Sequence, residues 1–596
     1  MDKKMKQTLI GGGIALLAIA VIGAITLVKY LTPEKGSISE SEYLIVTQGK
    51  AAIIMDGSIY AREAVVSGDN EPYISLDMVH ELMNADFYYD DNEKMVVYAM
   101  PEFVVYAGED EKCVYEDDNR IDLSCVPVLE SGGEVYLSAE FVSHYADMPY
   151  SYYSSPDRLV ITHKYGNYLY ADVKEDTVLR CAQTRKAKIL RKLIKGETLM
   201  LVDGGGEKIN GYLNVMTEDG IIAYVNESAL SESYYRTLKS EFETPAYTSI
   251  TADYKINLVF HMTTNKNSNN SITDLLSETG GINTVVPTWY KLSDNSGNIE
   301  TLADSDYVEK LHALGIQVWG LCSNFDIDVD ESKILNTTSV RRKLIKNLVD
   351  SATDVGLDGI NIDFEMLSSD CADAYIEFIR ELSSECRAAE LTLSIDNYVP
   401  SAYTSFYNRK KQAEVADYII VMAYDEHYAG SEEAGSVSSI SFVKDGIEDT
   451  LKEVPKEKII CAIPFYTRLW KETKSEEKDN GDGNKTPDSS TADSDGYEGE
   501  VVNNGVDISS ESLSMSEGEQ AVDNAGVSAE WNDETQQYYA SFEKNGSTYE
   551  IWLEDAKSIG AKLDAISQYG IAGVGAWRLG LETKDIWDVY SEYMNK

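Results

Sequence analysis

Residues 356–367 read GLDGINIDFEML. Asn361, Asp363 and Glu365 take alternate positions, and Ile360, Ile362 and Phe364 fill those between. A period of two belongs to a strand, whose successive side chains face opposite ways. On a surface strand the polar face would meet water. In a closed barrel it would line the interior, where carboxyls can do chemistry. The surface reading fails on the other face, which is too apolar for it. A polar barrel interior remains, with or without catalysis.

The surrounding sequence supports a barrel. From about residue 250 strand and helix patterns alternate. The strand patterns are INLVFHM (256–262), INTVVPTWY (282–290), IQVWGLCS (316–323), GINIDFEML (359–367), LTLSIDNYV (391–399), YIIVMAYDE (418–426), KIICAIPFY (458–466) and IAGVGAWRLG (571–580). Near-continuous apolar strands belong to buried parallel sheets. Eight such units predict an α/β fold, a (β/α)8 TIM barrel over residues 245–596. Residues 471–530, rich in Ser, Gly, Asn, Asp and Glu, read as a disordered acidic insertion. Its DNGDGNKTPD run does not fit the ligand order of an EF-hand.

The chain has 596 residues, enough for several domains. Its formal net charge is −49, which opposes binding to nucleic acid. Residues 8–28, TLIGGGIALLAIAVIGAITLV, carry no charge and follow Lys3, Lys4 and Lys6. That length crosses a bilayer, and the basic start keeps the N-terminus cytoplasmic. An uncleaved transmembrane signal anchor (1–30) is favoured over a cleaved signal peptide, because the run is long and no small-residue cleavage pattern follows. The bulk of the chain is then extracellular. Seven cysteines are few for an exported chain; Cys113 and Cys125 could close a loop, and no spacing resembles a metal site.

Behind a linker (31–48), residues 49–166 contain a weak repeat. The segments beginning at Tyr73 and Tyr136 lie 63 residues apart, and each reads as strand, helix, turn and strand. This unit resembles the copper amine oxidase N-terminal-like α+β module, although His80 and His144 are isolated and no ligand cluster accompanies them. Residues 167–235 hold short β-prone runs separated by glycine-rich turns. They resemble bacterial SH3-like β-barrels, as a wall-binding domain or a spacer.

On strand four, Asn361, Asp363 and Glu365 would all point into the barrel. Two inward carboxyls disfavour double ionisation, so one pKa should rise, which suits Glu365 for proton donation. The run DGINIDFE resembles the D-G-x-D-x-D-x-E signature of family 18 glycoside hydrolases. MAYDE, with Met422, Tyr424 and Asp425, and GVGAWRLG, with Trp577, resemble that family's sixth and eighth strands. The resemblance implies substrate-assisted hydrolysis next to N-acetylglucosamine, without metal or cofactor. Glu365 would be the acid and base. Asp363 and Tyr424 would hold the substrate's acetamido group. Asn361, Met422, Asp425, Trp577, Trp289 and Tyr466 would bind the sugar.

Two departures stand out. Asn361 replaces the first Asp of the signature, which should deprive Asp363 of a like-charged neighbour and lower its pKa. Strand three, VWGLCSNF, lacks the S-x-G-G of many chitinases. With PTWY on strand two, these features resemble the branch containing bacterial spore-cortex-lytic N-acetylglucosaminidases. The expected partner is therefore an N-acetylglucosamine-containing glycan, peptidoglycan ahead of chitin. A non-catalytic carbohydrate-binding protein on the same scaffold, or a structural wall-attachment protein, are the alternatives.

Overall fold

The computed structural model describes residues 2–205, 208–325, 329–474, 498–503 and 505–595. The chain divides into two compact units, one of residues 1–87 and 106–244, the other of residues 88–105 and 245–596.

In the first unit, helix α1 (Lys3–Leu31) contains a 20-residue apolar stretch, Gly12–Leu31, of mean hydropathy 2.4 with none of it buried. It is long and apolar enough to cross a membrane. The repeat is visible in the backbone. Strands Pro72–Ser75 and Glu134–Ser138 pair antiparallel, Tyr73 opposite Ser138 and Ser75 opposite Tyr136. Each runs into a seven-residue helix, Leu76–Leu82 or Ala139–Tyr145, capped by the side chain of Ser75 or Ser138. Residues 166–238 form a separate seven-stranded antiparallel sheet around Leu179, Leu199, Val215, Ala223 and Val225. Cys113 and Cys125 are separate buried thiols, not a disulfide.

The second unit is the barrel. Its strands are β1 (Ile256–His261), β2 (Thr284–Leu292), β3 (Gln317–Ser323), β4 (Gly359–Asp363), β5 (Thr392–Tyr398), β6 (Tyr418–Met422), β7 (Ile459–Pro464) and β8 (Gly573–Trp577). Each pairs in parallel with the next, and β8 pairs with β1, which closes the ring. The helix expected before β4 is α2 (Thr338–Val355), which ends at Gly356 with φ +77°. The helix after β4 is α3 (Ala372–Ala388).

Alternation along the strands divides the core in two. Ile360, Ile362 and Phe364 face outward into the shell under the helices, where Phe364 stacks on Phe378 of α3 at 5.5 Å. Inside, Leu258, Phe260, Val286, Trp319, Leu321, Tyr418 and Ile420 fill the barrel. Trp319 stacks on Tyr418 at 5.5 Å. That indole fits because Gly359 lies opposite it. A Cβ on Gly359 would stand 2.8 Å from the Trp319 ring and 2.6 Å from the Thr392 carbonyl oxygen. Gly359→Ala is therefore expected to overpack the barrel, destabilising it by about 1–3 kcal/mol, measured as a lower denaturant midpoint.

Two expected boundaries are corrected. Residues 88–105, assigned from sequence to the module 49–166, group with the barrel. Strands Tyr88–Asp90 and Met95–Ala99 form a hairpin, and the buried Asp90 carboxylate accepts hydrogen bonds from the Thr338 amide and hydroxyl, both at 2.6 Å. The Ala99 carbonyl accepts from Tyr247 and Arg380. These polar bonds across long sequence separations leave no periodic signal.

The other correction concerns residues 471–530. The disorder expected there does not hold for 471–474 or for most of 498–530. Strands Tyr466–Lys474, Glu498–Asn503, Val506–Ser514, Glu530–Asn532, Gln537–Lys544 and Ser547–Leu553 build a six-stranded sheet between β7 and β8. Helix Met515–Ala525 carries a capping box at Ser514 and Glu517. Its polar strands owe their order to pairing with Tyr466–Lys474, as in Thr467 opposite Leu513. Residues 475–497 lie outside the described residues.

Candidate active site

The barrel interior changes from apolar to polar along strand β4. Gly359 sits at the Trp319 level, Asn361 is fully buried one step on, and Asp363 follows at the strand's end. Glu365 lies two residues beyond and is half-buried. Carboxyls at the C-terminal ends of barrel strands occupy the position where this fold places its chemistry.

The loop after β4 is held by side chains from neighbouring strands. Asn324, just after β3, accepts from the Glu365 amide at 2.9 Å and donates to the Glu365 carbonyl at 2.8 Å. Its amide group also donates to Glu331. The Tyr398 hydroxyl at the end of β5 accepts from the Met366 amide at 3.1 Å and hydrogen-bonds to the Glu365 carboxyl. Tyr407 accepts from the Leu367 amide and donates to the Phe364 carbonyl. Met366 turns the chain with φ +53°. Glu365 is thus fixed by its backbone while its carboxyl is held by one tyrosine.

Burial dominates the electrostatics. It pushes Glu365 above the ordinary carboxylate range, with Asp425 adding to the rise and the Tyr398 hydrogen bond opposing it. Asp363 is raised well above that range, first by burial, then by Asp396 and Glu365. Asp396, on β5, is pushed up to about 8 by burial, with the hydrogen bond from Asn361 opposing the rise. The loss of a like-charged neighbour expected for Asp363 therefore does not occur, because β5 supplies a carboxyl that β4 lacks.

These shifts set a pH dependence. A carboxyl whose folded pKa is raised stabilises the fold fully below its unfolded value, near 4, and loses that contribution as pH rises through the folded value. For Asp396 the window runs from about 4 to about 8. The unfolding free energy of the barrel is expected to fall across it by on the order of a few kcal/mol, read from denaturation curves at stepped pH.

The sequence-predicted residues fall into two groups. Tyr424 is half-buried against the inner core together with Trp577, whose ring lies 5.4 Å from that of Phe260. The Tyr466 hydroxyl donates to Asp425, and the Tyr466 and Tyr424 rings meet edge-on at 6.4 Å. Met422 is buried at the end of β6. These residues gather with Asn361, Asp363 and Glu365 around the strand ends. Trp289 does not, a correction. It joins the outer shell, packs edge-on against Tyr307 at 4.9 Å and donates from its indole to Asn269. Alternation along β2, with Val285 outward and Val286 inward, turns Trp289 outward as well.

Asp396, Tyr398 and Asn324 escaped the sequence reading. The signal for the first two was present, since Ser394, Asp396 and Tyr398 alternate on β5 as the polar residues do on β4. Asn324 sits just past a strand and carries no periodic mark.

A closed parallel barrel with carboxyls at the strand ends defines the class, a TIM-barrel enzyme domain. Residues 330–582, most of the barrel, match the family model Glycosyl hydrolases family 18. The chain is similar to the Cortical fragment-lytic enzyme of Bacillus subtilis, 24% identical over 269 residues, 44% of this chain and 56% of that one. It is also similar to the uncharacterized glycosylase YvbX of the same organism, 24% identical over 285 residues, 46% of this chain and 73% of that one. Among solved structures, the Bacillus cereus spore cortex-lytic enzyme SleL aligns with 18% identity and a TM-score of 0.47, over 60% of this chain and 78% of that chain. The chain spans about half the length of the first curated relatives it matches.

Proposed function

We propose that this protein is an extracytoplasmic glycoside hydrolase that cleaves β-1,4 bonds next to N-acetylglucosamine, in peptidoglycan ahead of chitin. The observation that carries the reading is the placement of Glu365 beyond β4, its carboxyl raised by burial and tied to Tyr398, beside the buried Asp363. A carboxyl whose pKa is raised keeps its proton to higher pH and can donate it to a departing glycosidic oxygen.

In this mechanism the substrate's own acetamido oxygen attacks the anomeric carbon, as in the substrate-assisted glycosidases. Asp363 accepts from the acetamido N–H and stabilises the positive charge that develops. Tyr424 donates to the acetamido oxygen. Asn361 and Met422 shape the polar floor, Asp425 with Tyr466 contacts the sugar, and Trp577 offers it an apolar face. Glu365, now ionised, takes a proton from water in the second step. Exposed Phe325, Met366, Tyr403 and Tyr428 follow β3, β4, β5 and β6 and suit the apolar faces of further sugar rings.

The rest of the chain fits action at a wall. Helix α1 would anchor the protein with a cytoplasmic N-terminus. The copper amine oxidase N-terminal-like and SH3-like modules, which follow the helix in the chain, would bind wall polymer or serve as a spacer. The test is turnover of chitin oligosaccharides beside their de-N-acetylated counterparts. Cleavage of the acetylated series alone is expected; equal cleavage of both would refute substrate assistance, and binding without cleavage would make the barrel a carbohydrate-binding scaffold.

A further inference from the structure

Strands β4 and β5 pair in register, Asn361 beside Ser394 and Ile362 beside Ile395. The next step along both strands brings Asp363 beside Asp396. Asn361 donates both hydrogens of its amide to β5, one to Ser394 Oγ and one to Asp396 Oδ1, each at 3.0 Å. A carboxylate at 361 could not donate these bonds. It would instead stand as a bare negative charge against Asp396. The neutral residue at 361 and the acid at 396 therefore require each other. Asp363 Oδ1 is buried with no hydrogen-bond partner, and both carboxyls are almost wholly shielded from water.

We infer that Asp396 is the carboxyl partner of Asp363, the two holding one proton between adjacent strands, and that Asp396 acts as a positioning residue for the proposed reaction without touching the sugar. The proposal rests on the hydrolase reading above. Two neighbouring buried carboxyls cannot both ionise without uncompensated repulsion, so their protons leave in two separated steps that belong to the pair. Ser323 of β3 lies beside Asp363 in the strand register. The titratable groups interacting with the pair are Glu365 from the β4 loop, Tyr424 after β6, Tyr407 after β5 and, from the outer shell, Tyr375 of α3 and Cys322 of β3. Among the described residues, the charged groups acting on the two aspartates are the carboxyls of the pair itself and of Glu365. The proton between the pair thus does the work a cation would do elsewhere. When it resides on Asp396, Asp363 carries the negative charge that the developing positive centre needs. Asn361 keeps Asp396 aimed at that task by holding its other oxygen.

The experiment uses the full chain and three variants: Asp396→Asn, Asp363→Asn as the assignment control, and the exchange Asn361→Asp/Asp396→Asn. Infrared difference spectra across a pH series follow protonated buried carboxyls directly and need no turnover. The wild type is expected to keep one protonated carboxyl from the pair at neutral pH. In Asp396→Asn the remaining carboxyl at 363 should titrate at least about one pH unit lower, since its like-charged partner is gone. On an N-acetylglucosamine oligosaccharide, kcat of Asp396→Asn should fall about tenfold or more and its pH profile should move, while KM changes little. The exchange variant should recover the shared-proton signal and part of kcat, because the second carboxyl returns on β4. An unchanged infrared titration of Asp363 in Asp396→Asn overturns the inference. A wild type that cleaves no N-acetylglucosaminide refutes the hydrolase reading instead, and the infrared series still decides the pairing.

Discussion

Glu365→Gln is expected to reduce kcat on an N-acetylglucosamine oligosaccharide by roughly 10²–10⁴-fold, the range that general acid catalysis supplies. The substitution keeps the size of the side chain and its capacity to accept from Tyr398, and Asn324 grips only the backbone of residue 365. The loop after β4 should therefore keep its form, with substrate affinity and denaturant midpoint close to wild type. What is lost is the proton. An amide cannot protonate the departing oxygen, nor can it later take a proton from water. Retained turnover in this variant would remove Glu365 from the role of acid. For the wild type, the raised pKa of Glu365 makes kcat fall as pH climbs through it, because the ionised form cannot donate.

The largest stability effect is expected at Arg341, far from the carboxyls. This guanidinium is wholly buried on α2. It pairs with Glu381 of α3 at 2.8 Å, donates to Thr338 Oγ1 and to the Leu335 carbonyl, and stacks over the Tyr88 ring at 4.8 Å. Taking such a pair out of water is costly, and its worth lies in mutual compensation. Arg341→Ala leaves the Glu381 carboxylate buried without its counter-charge and should destabilise the barrel by about 3–5 kcal/mol. The double variant Arg341→Met/Glu381→Leu removes both charges and should recover most of that loss. Equal damage in single and double variants would mean that packing of the long side chain, and not the ion pair, is what the site contributes. Denaturant midpoints followed by barrel tryptophan fluorescence separate the two outcomes.

The barrel was legible because its strands are apolar and evenly spaced: all eight expected strands occur, each within a few residues of its predicted span. Asn361, Asp363 and Glu365 could be placed on one face because a period of two survives any tertiary context short of a bulge. Trp289 was placed at the sugar by resemblance alone, whereas alternation from outward Val285 and inward Val286 already turns it into the outer shell. Asp396 shows a different limit. Its alternation was visible, but its meaning depends on the register of β5 against β4, which only pairing reveals. The sheet between β7 and β8 failed for a third reason. Strands such as Val506–Ser514 are too polar to signal burial and owe their order to a partner strand. The hairpin at 88–99 was assigned to the wrong unit because contacts such as Asp90 with Thr338 connect residues about 250 positions apart.

Mass spectrometry of a peptidoglycan digest, after reduction of the new chain ends, tests the central claim most directly. Fragments that end in a reduced N-acetylglucosamine, produced by the wild type and absent with Glu365→Gln, are the predicted result. Fragments ending in reduced N-acetylmuramic acid, or an undigested glycan from an otherwise folded wild type, would contradict it.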